Sequence, residues 1–218
     1  MRDFTELGLA EPLLQAINEL GYEHPMPVQE EVIPHLLTGD TDLIALAQTG
    51  TGKTAAFGLP LLQKTLSNSP LRGENSGHEV SPLRGGLVGS LILSPTRELC
   101  LQIADDLEGF SKYLPEVRIL AVYGGANIEP QIRALKHGID IIVATPGRLI
   151  DLMKRGACDL SEVHYVVLDE ADEMLSMGFQ EDLDSILEGI PSEHHTLLFS
   201  ATMSKEIERR QPAPLHDR

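Results

Sequence analysis

Residues 165–172 read Tyr165-Val166-Val167-Leu168-Asp169-Glu170-Ala171-Asp172. The first four are apolar, with aromatic and β-branched side chains at three positions, the composition of a strand buried on both faces. Two acids stand directly at its mouth. Charge in such a place costs several kcal/mol unless a cation or hydrogen bonds compensate it. Paired carboxylates at a strand end suit a hydrated Mg²⁺ and an attacking water, so Asp169 is the candidate metal holder and Glu170 the candidate base.

An earlier apolar run ends in Ala47-Gln48-Thr49-Gly50-Thr51-Gly52-Lys53-Thr54. Gly50 and Gly52 permit a tight turn whose amides point inward at phosphate oxygens. Lys53 would neutralise the β- and γ-phosphates and the Thr54 hydroxyl would ligate Mg²⁺. The helix expected from Lys53 onward adds the positive end of its dipole. A strict phosphate-loop pattern has Gly at the first position, where this chain has Ala47. Taken together, the two motifs predict ATP hydrolysis with Mg²⁺, with Lys53, Asp169 and Glu170 as the catalytic set.

Between these motifs the chain alternates. Apolar runs at 43–47, 90–94, 118–122, 139–144, 165–169 and 196–200 read as buried strands, and amphipathic stretches such as 96–113 and 148–155 read as helices. Repeated strand–helix alternation predicts an α/β fold: a parallel sheet with helices on both faces. Ligands of such sheets bind at the carboxyl ends of the strands, where every motif from Ala47 onward falls. The stretch 67–89 breaks the pattern. It is rich in Ser, Gly and Pro, carries Ser-Pro-Leu-Arg-Gly twice (69–73 and 81–85), and reads as a flexible surface insertion.

The chain has 218 residues, enough for one well-buried α/β domain. Its formal net charge of −16 excludes a wholly basic nucleic-acid footprint. Residues 162–193 hold many carboxylates and no Lys or Arg, while Arg97, Arg133, Lys136, Arg148, Lys154 and Arg155 lie elsewhere. Nucleic acid, if bound, meets a local site of backbone amides and a few arginines. Cys100 and Cys158 are far apart and read as unpaired thiols of a reducing compartment. No apolar run approaches the roughly 18 residues of a membrane span, and the charged N-terminus has no apolar signal core, so the cytoplasm is the expected location.

With these motifs in order, residues 4–206 resemble the first RecA-like domain of a DEAD-box RNA helicase. Gly21-Tyr22-Glu23-His24-Pro25-Met26-Pro27-Val28-Gln29 is similar to the family's Q motif, with Phe4 as the isolated aromatic before it. The resemblance implies that Gln29 reads the adenine edge and Tyr22 stacks on the base. Pro95-Thr96-Arg97-Glu98-Leu99, Gly124-Gly125 and Thr145-Pro146-Gly147-Arg148 match the family's strand-binding motifs. Pro95-Thr96 and Pro146-Gly147 each lie where a strand gives way to a helix, whose unpaired amides and dipole suit a phosphate. Backbone-led contact of this kind binds single-stranded RNA without reading its sequence. Ser200-Ala201-Thr202 matches the motif that couples ATP state to RNA, with Ser200 and Thr202 expected to bond Asp172.

The implied organisation is a Q-motif region at 1–32, a RecA-like helicase ATP-binding domain at 33–207 and a polar, Pro-broken tail at 208–218. Two departures carry expectations. Met26 stands where the family has Thr or Ser, so the helix that follows loses a cap worth about 1 kcal/mol and the adenine pocket is expected to be looser. The family's second RecA-like domain, which supplies an arginine finger and half the RNA site, is not recognisable after residue 206. A finger is worth ~10³ to 10⁵ in rate, so weak hydrolysis and no unwinding are expected of this chain alone. A non-catalytic binding module and a DNA-directed helicase of the same superfamily remain as alternatives. A P-loop kinase is disfavoured, since the chain has strand-binding motifs and no recognisable lid.

Overall fold

Six parallel strands form the centre of the computed structural model, which describes residues 2–39, 41–68, 88–205 and 207. They are β1 (Leu43–Leu46), β2 (Val88–Leu93), β3 (Ile119–Val122), β4 (Ile139–Ala144), β5 (Tyr165–Leu168) and β6 (His195–Ser200). Their spatial order is β1-β6-β5-β2-β4-β3, with every neighbouring pair parallel. The tail 208–218 and most of the expected insertion lie outside the described residues. The margins of that insertion are corrected: helix α3 (Lys53–Asn68) and β2 extend into the range 67–89 from either side.

Successive strand residues point to opposite faces, and two cores result. Ile92, Ile141, Val143, Val167, Leu197 and Phe199 face one way. They pack on α1 (Glu11–Glu19), α2 (Pro27–Thr38), α3 and α4 (Arg97–Phe110). Leu91, Leu93, Ile142, Val166, Leu168 and Leu198 face the other way. These meet α5 (Ile128–Leu135), α6 (Pro146–Lys154), α7 (Ala171–Ser176) and α8 (Gln180–Glu188). Covering both faces explains why the inner strands read as continuous apolar runs rather than alternating ones, while the edge strands β1 and β3, expected to be buried, are mostly half-buried.

The strand-end motifs are tied to each other one residue beyond the strands. Ala47 N donates to Ser200 O at 2.9 Å, Asp169 N to Leu93 O at 2.9 Å, Ser94 N to Ala144 O at 3.0 Å and Thr145 N to Val122 O at 3.0 Å. The ladder thus delivers the phosphate loop, the acid pair and the strand-binding motifs to one edge. No helix among the described residues is long and apolar enough to cross a membrane.

Candidate active site

The loop between β1 and α3 turns through Gly50 and Gly52, whose φ values are +83° and +82°. Thr51 Oγ1 donates to Gln48 O at 2.6 Å and tightens that turn. Gln48, Thr49 and Gly50 are exposed, and nothing lies within 4 Å of a side chain built on Gly50. Lys53, by contrast, is buried as the first residue of α3, with Thr54 half-buried behind it.

Lys53 points at the mouth of β5. Its Nζ lies 2.6 Å from Glu170 Oε1 and 3.3 Å from Asp169 Oδ1. Thr49 Oγ1 donates to the same Glu170 oxygen at 2.9 Å. Asp169 is 2% exposed. Burial pushes its carboxyl above the usual aspartate value, a push that the attraction of Lys53 opposes and the charge of Glu170 reinforces. One lysine leaves this pair of acids short of positive charge, so the donor set fits a further cation. Glu170 holds φ +53°, the left-handed conformation that non-glycine residues seldom adopt, and caps α7 from there. Such strain, kept beside a buried acid, marks a functional turn.

The Q-motif residues pack onto the same loop. Gln29 Oε1 accepts from Met26 N at 2.9 Å, while its Nε2 donates to Gly52 O at 3.1 Å. Both ends of the buried amide are therefore occupied, and presenting it to an adenine edge requires it to turn. Met26 makes no side-chain cap hydrogen bond, leaving only the returning half of a capping box. Phe4 is buried beneath Tyr22, edge-on with centroids 6.1 Å apart. Phe110 supports Tyr22 from another side at 5.8 Å. Tyr22, half-buried, is the ring that remains presented.

At β6, Thr202 donates to Asp172 Oδ2 twice, from its amide at 3.1 Å and its hydroxyl at 2.9 Å. Ser200 Oγ donates to Thr202 O at 2.8 Å and steadies that turn. Partial burial raises the Asp172 carboxyl, but hydrogen bonds led by those from Thr202 outweigh it and hold it below the usual aspartate value.

The strand-binding motifs lie at the other end of the same edge. Thr96 caps α4 by accepting from Leu99 N at 3.2 Å, and Pro146 opens α6 after Thr145. Pro95 and Pro146 are buried, whereas Gly124, Gly125 and Gly147 are exposed. Arg97 lays its guanidinium over the Tyr123 ring, 5.0 Å from the centroid. Arg148 turns inward, donating from Nη1 to Gln131 Oε1 at 3.0 Å and from Nη2 to Ala126 O at 2.9 Å.

A model of the DEAD/DEAH box helicase family matches residues 26–210. The chain belongs to that family. It is 50% identical over 206 residues to the ATP-dependent RNA helicase DeaD of Escherichia coli K12, covering 94% of this chain and 30% of that protein. It is 49% identical over 209 residues to the DEAD-box ATP-dependent RNA helicase CshA of Bacillus cereus, covering 96% of this chain and 36% of that one. It thus spans about a third of the length of these relatives. A crystal structure of a DEAD box protein from Methanococcus jannaschii superimposes with a TM-score of 0.80 at 42% identity, over 95% of this chain and 52% of that one.

Within this DEAD-box domain the strand ends bring the acid pair, Lys53 and Thr49 into direct contact. They keep Arg97, Arg148 and the glycine pair apart from that cluster, beyond β2. Sequence reasoning missed Gln131, a buried polar residue on α5. Its signal was a glutamine four residues before buried Leu135, on the stripe where an amphipathic helix carries apolar residues. Cys100 and Cys158 are free and buried, and burial pushes both thiols up to about 12, which keeps them out of nucleophilic chemistry.

Proposed function

We propose that this chain is the nucleotide-binding RecA-like part of an ATP-dependent RNA helicase, which binds ATP with Mg²⁺ and the backbone of single-stranded RNA. The observation that carries the reading is Lys53 set between Asp169 and Glu170 at the sheet edge that also ends in the exposed amides of Gly124, Gly125 and Gly147. Ala47 through Thr54 wrap the phosphates, Lys53 leaves Glu170 for the β- and γ-oxygens, and Tyr22, backed by Phe4, meets the base, with Gln29 turning to its edge. Bound Mg²⁺ supplies charge neutralisation of the phosphates, and Thr54 and Asp169 are the residues that would hold it.

Glu170, once free of Lys53 and Thr49, orients a water in line with the γ-phosphorus and takes its proton as the bond to ADP breaks. Asp172, Ser200 and Thr202 tie the acid turn to β6 and transmit the nucleotide state. Thr96, Thr145 and the helix N-termini behind Pro95 and Pro146 face the RNA phosphates. Full activity is expected to need a second RecA-like domain, and the cytoplasm is the expected setting.

The test is ATP hydrolysis with and without single-stranded RNA, with Lys53→Ala as the blank. Turnover that RNA raises and Lys53→Ala abolishes supports a motor domain. Nucleotide and RNA binding without turnover, restored when a second RecA-like domain is supplied, supports the same role with the finger in trans. Binding that no added domain converts into turnover leaves a non-catalytic module instead.

A further inference from the structure

The motif leaves Arg148 either on the RNA or in an internal contact, and its guanidinium is committed inward. Nη1 bonds Gln131 Oε1 at 3.0 Å and Nη2 bonds Ala126 O at 2.9 Å. Gln131 is 7% exposed, and its Nε2 reaches Tyr123 O at 3.4 Å. The two side chains therefore grip the turn 123–126 at both ends, Tyr123 and Ala126. Arg97, over the Tyr123 ring and 3.8 Å from a side-chain carbon built on Gly125, closes the third side.

Inside this grip lie Gly124 and Gly125, both exposed, with Gly125 at φ +80°. Nothing lies within 4 Å of a side chain built on Gly124. Neither amide donates to a backbone carbonyl within the turn contacts of the described residues. A buried glutamine with both ends of its amide engaged is a costly thing to place on an apolar helix stripe, since every unmet polar atom there carries a desolvation penalty. Its bonds go to the arginine and to the loop, so holding that loop is what it does.

We infer that Gln131 and Arg148 are positioning residues, bracing the 123–126 turn so that the Gly124 and Gly125 amides stay open to a nucleic-acid phosphate. This rests on the RNA-binding reading above. Arg148 on this account lends shape, and two of its guanidinium donors are taken up within the protein. Lys is then no substitute, because a single ammonium does not span Gln131 and Ala126 as a planar fork does. An arginine that met a phosphate directly would behave differently: Lys would retain most of the affinity, and Ala would lower the salt slope by about one.

The experiment titrates the full chain against fluorescein-labelled single-stranded oligouridine at several KCl concentrations, followed by anisotropy. Wild type, Arg148→Lys, Gln131→Leu and their combination are compared, with nucleotide binding and thermal unfolding as checks on the fold. Arg148→Lys, the conservative change, keeps the test alive if Gln131→Leu does not fold. The expected result is a loss of about tenfold in each single variant, with the slope of log affinity against log salt unchanged. The double variant is no weaker than the weaker single one, because both residues act through one turn. Nucleotide affinity holds within about twofold, as expected of sites that share no partner.

Arg148→Lys binding as tightly as wild type, or a loss that comes with a flatter salt slope, overturns the proposal and leaves Arg148 a phosphate ligand. A wild-type chain that leaves the anisotropy unchanged fails the RNA reading itself, and the proposal with it.

Discussion

The two ends of the strand edge place their polar groups in opposite ways. At the nucleotide end, ionisable side chains are buried and answer each other: Lys53 and Asp169 are 5% and 2% exposed. At the other end, exposed turns present backbone amides beside the exposed Arg97, and Arg148 is bonded inward. The first arrangement is specific, because a buried charge tolerates few partners. The second is indifferent to base sequence, because amides and helix dipoles meet only phosphate. Under the proposed function, it is also what would let a chain of net charge −16 meet RNA, with local dipoles in place of a basic patch.

Breaking the buried end should have the larger consequence. Lys53→Ala is expected to abolish ATP turnover and to destabilise the domain by ~3 kcal/mol, since it strands Asp169 and Glu170 without their cation. Urea unfolding beside an ATPase assay reads both effects. A variant as stable as wild type would mean that water already reaches the acids, and that the nucleotide end is less dry than its burial says.

The same small substitution in each loop sharpens the contrast. Gly52→Ala is expected to cost about 2 kcal/mol, part for φ +82° and part for a carbon built 2.3 Å from Gln29 Nε2. Nucleotide affinity should fall with it, because the strain falls on the loop proposed to wrap the phosphates. Gly124→Ala meets nothing within 4 Å at a φ outside the left-handed range, and stability should stay within about 0.5 kcal/mol. Thermal unfolding of the pair decides it. Equal losses would show that the glycine turn of the RNA end is as tightly packed as the phosphate loop.

The pattern of apolar runs was enough to place all six strands, although the edge strands β1 and β3, expected to be buried, are largely half-buried and Leu46 is exposed. The phosphate loop and acid pair were legible for a different reason, as each is a short stretch whose chemistry is local. Strand order was not legible. That β6 inserts between β1 and β5 is decided by which faces pack, and no local residue announces it. Nor did the sequence show where long side chains end up. Arg148 follows a Pro-Gly helix start, a place that suits a phosphate ligand, yet its partners Gln131 and Ala126 are 17 and 22 residues away. Gln29 reads as an adenine ligand by motif, while its contact with Gly52 O depends on a loop 23 residues on.

Met26 connects these two levels. Its position at the head of α2 was read as a missing cap, and the structure retains only the bond from Met26 N to Gln29. Met26→Thr is expected to stabilise by about 1 kcal/mol, completing the box and freeing no group in exchange. Because Gln29 also holds Gly52, nucleotide affinity should rise with stability. A gain in melting temperature without any change in affinity would separate the helix cap from the phosphate loop and limit the role of Gln29 to the helix.

A small effect is expected at Asp172, where the acid turn meets β6. Its carboxyl titrates lower in the fold than the ordinary 3.8, with the hydrogen bonds from Thr202 leading the causes that lower it. The unfolded state therefore binds the proton more readily. The stabilisation is fully present above 3.8 and is lost as pH falls through the lower, folded value. Asp172→Asn keeps one acceptor oxygen for Thr202 and removes the charge. Because the carboxylate is partly exposed, the difference at neutral pH should stay under ~1 kcal/mol. Denaturant unfolding of both proteins from neutral to acid pH should show a gap that is steady, then closes below 3.8. A gap that persists in acid would mean that Thr202 recognises the shape of the side chain rather than its charge. The contact between the acid turn and β6 would then be steric, and its strength would not follow the ionisation of Asp172.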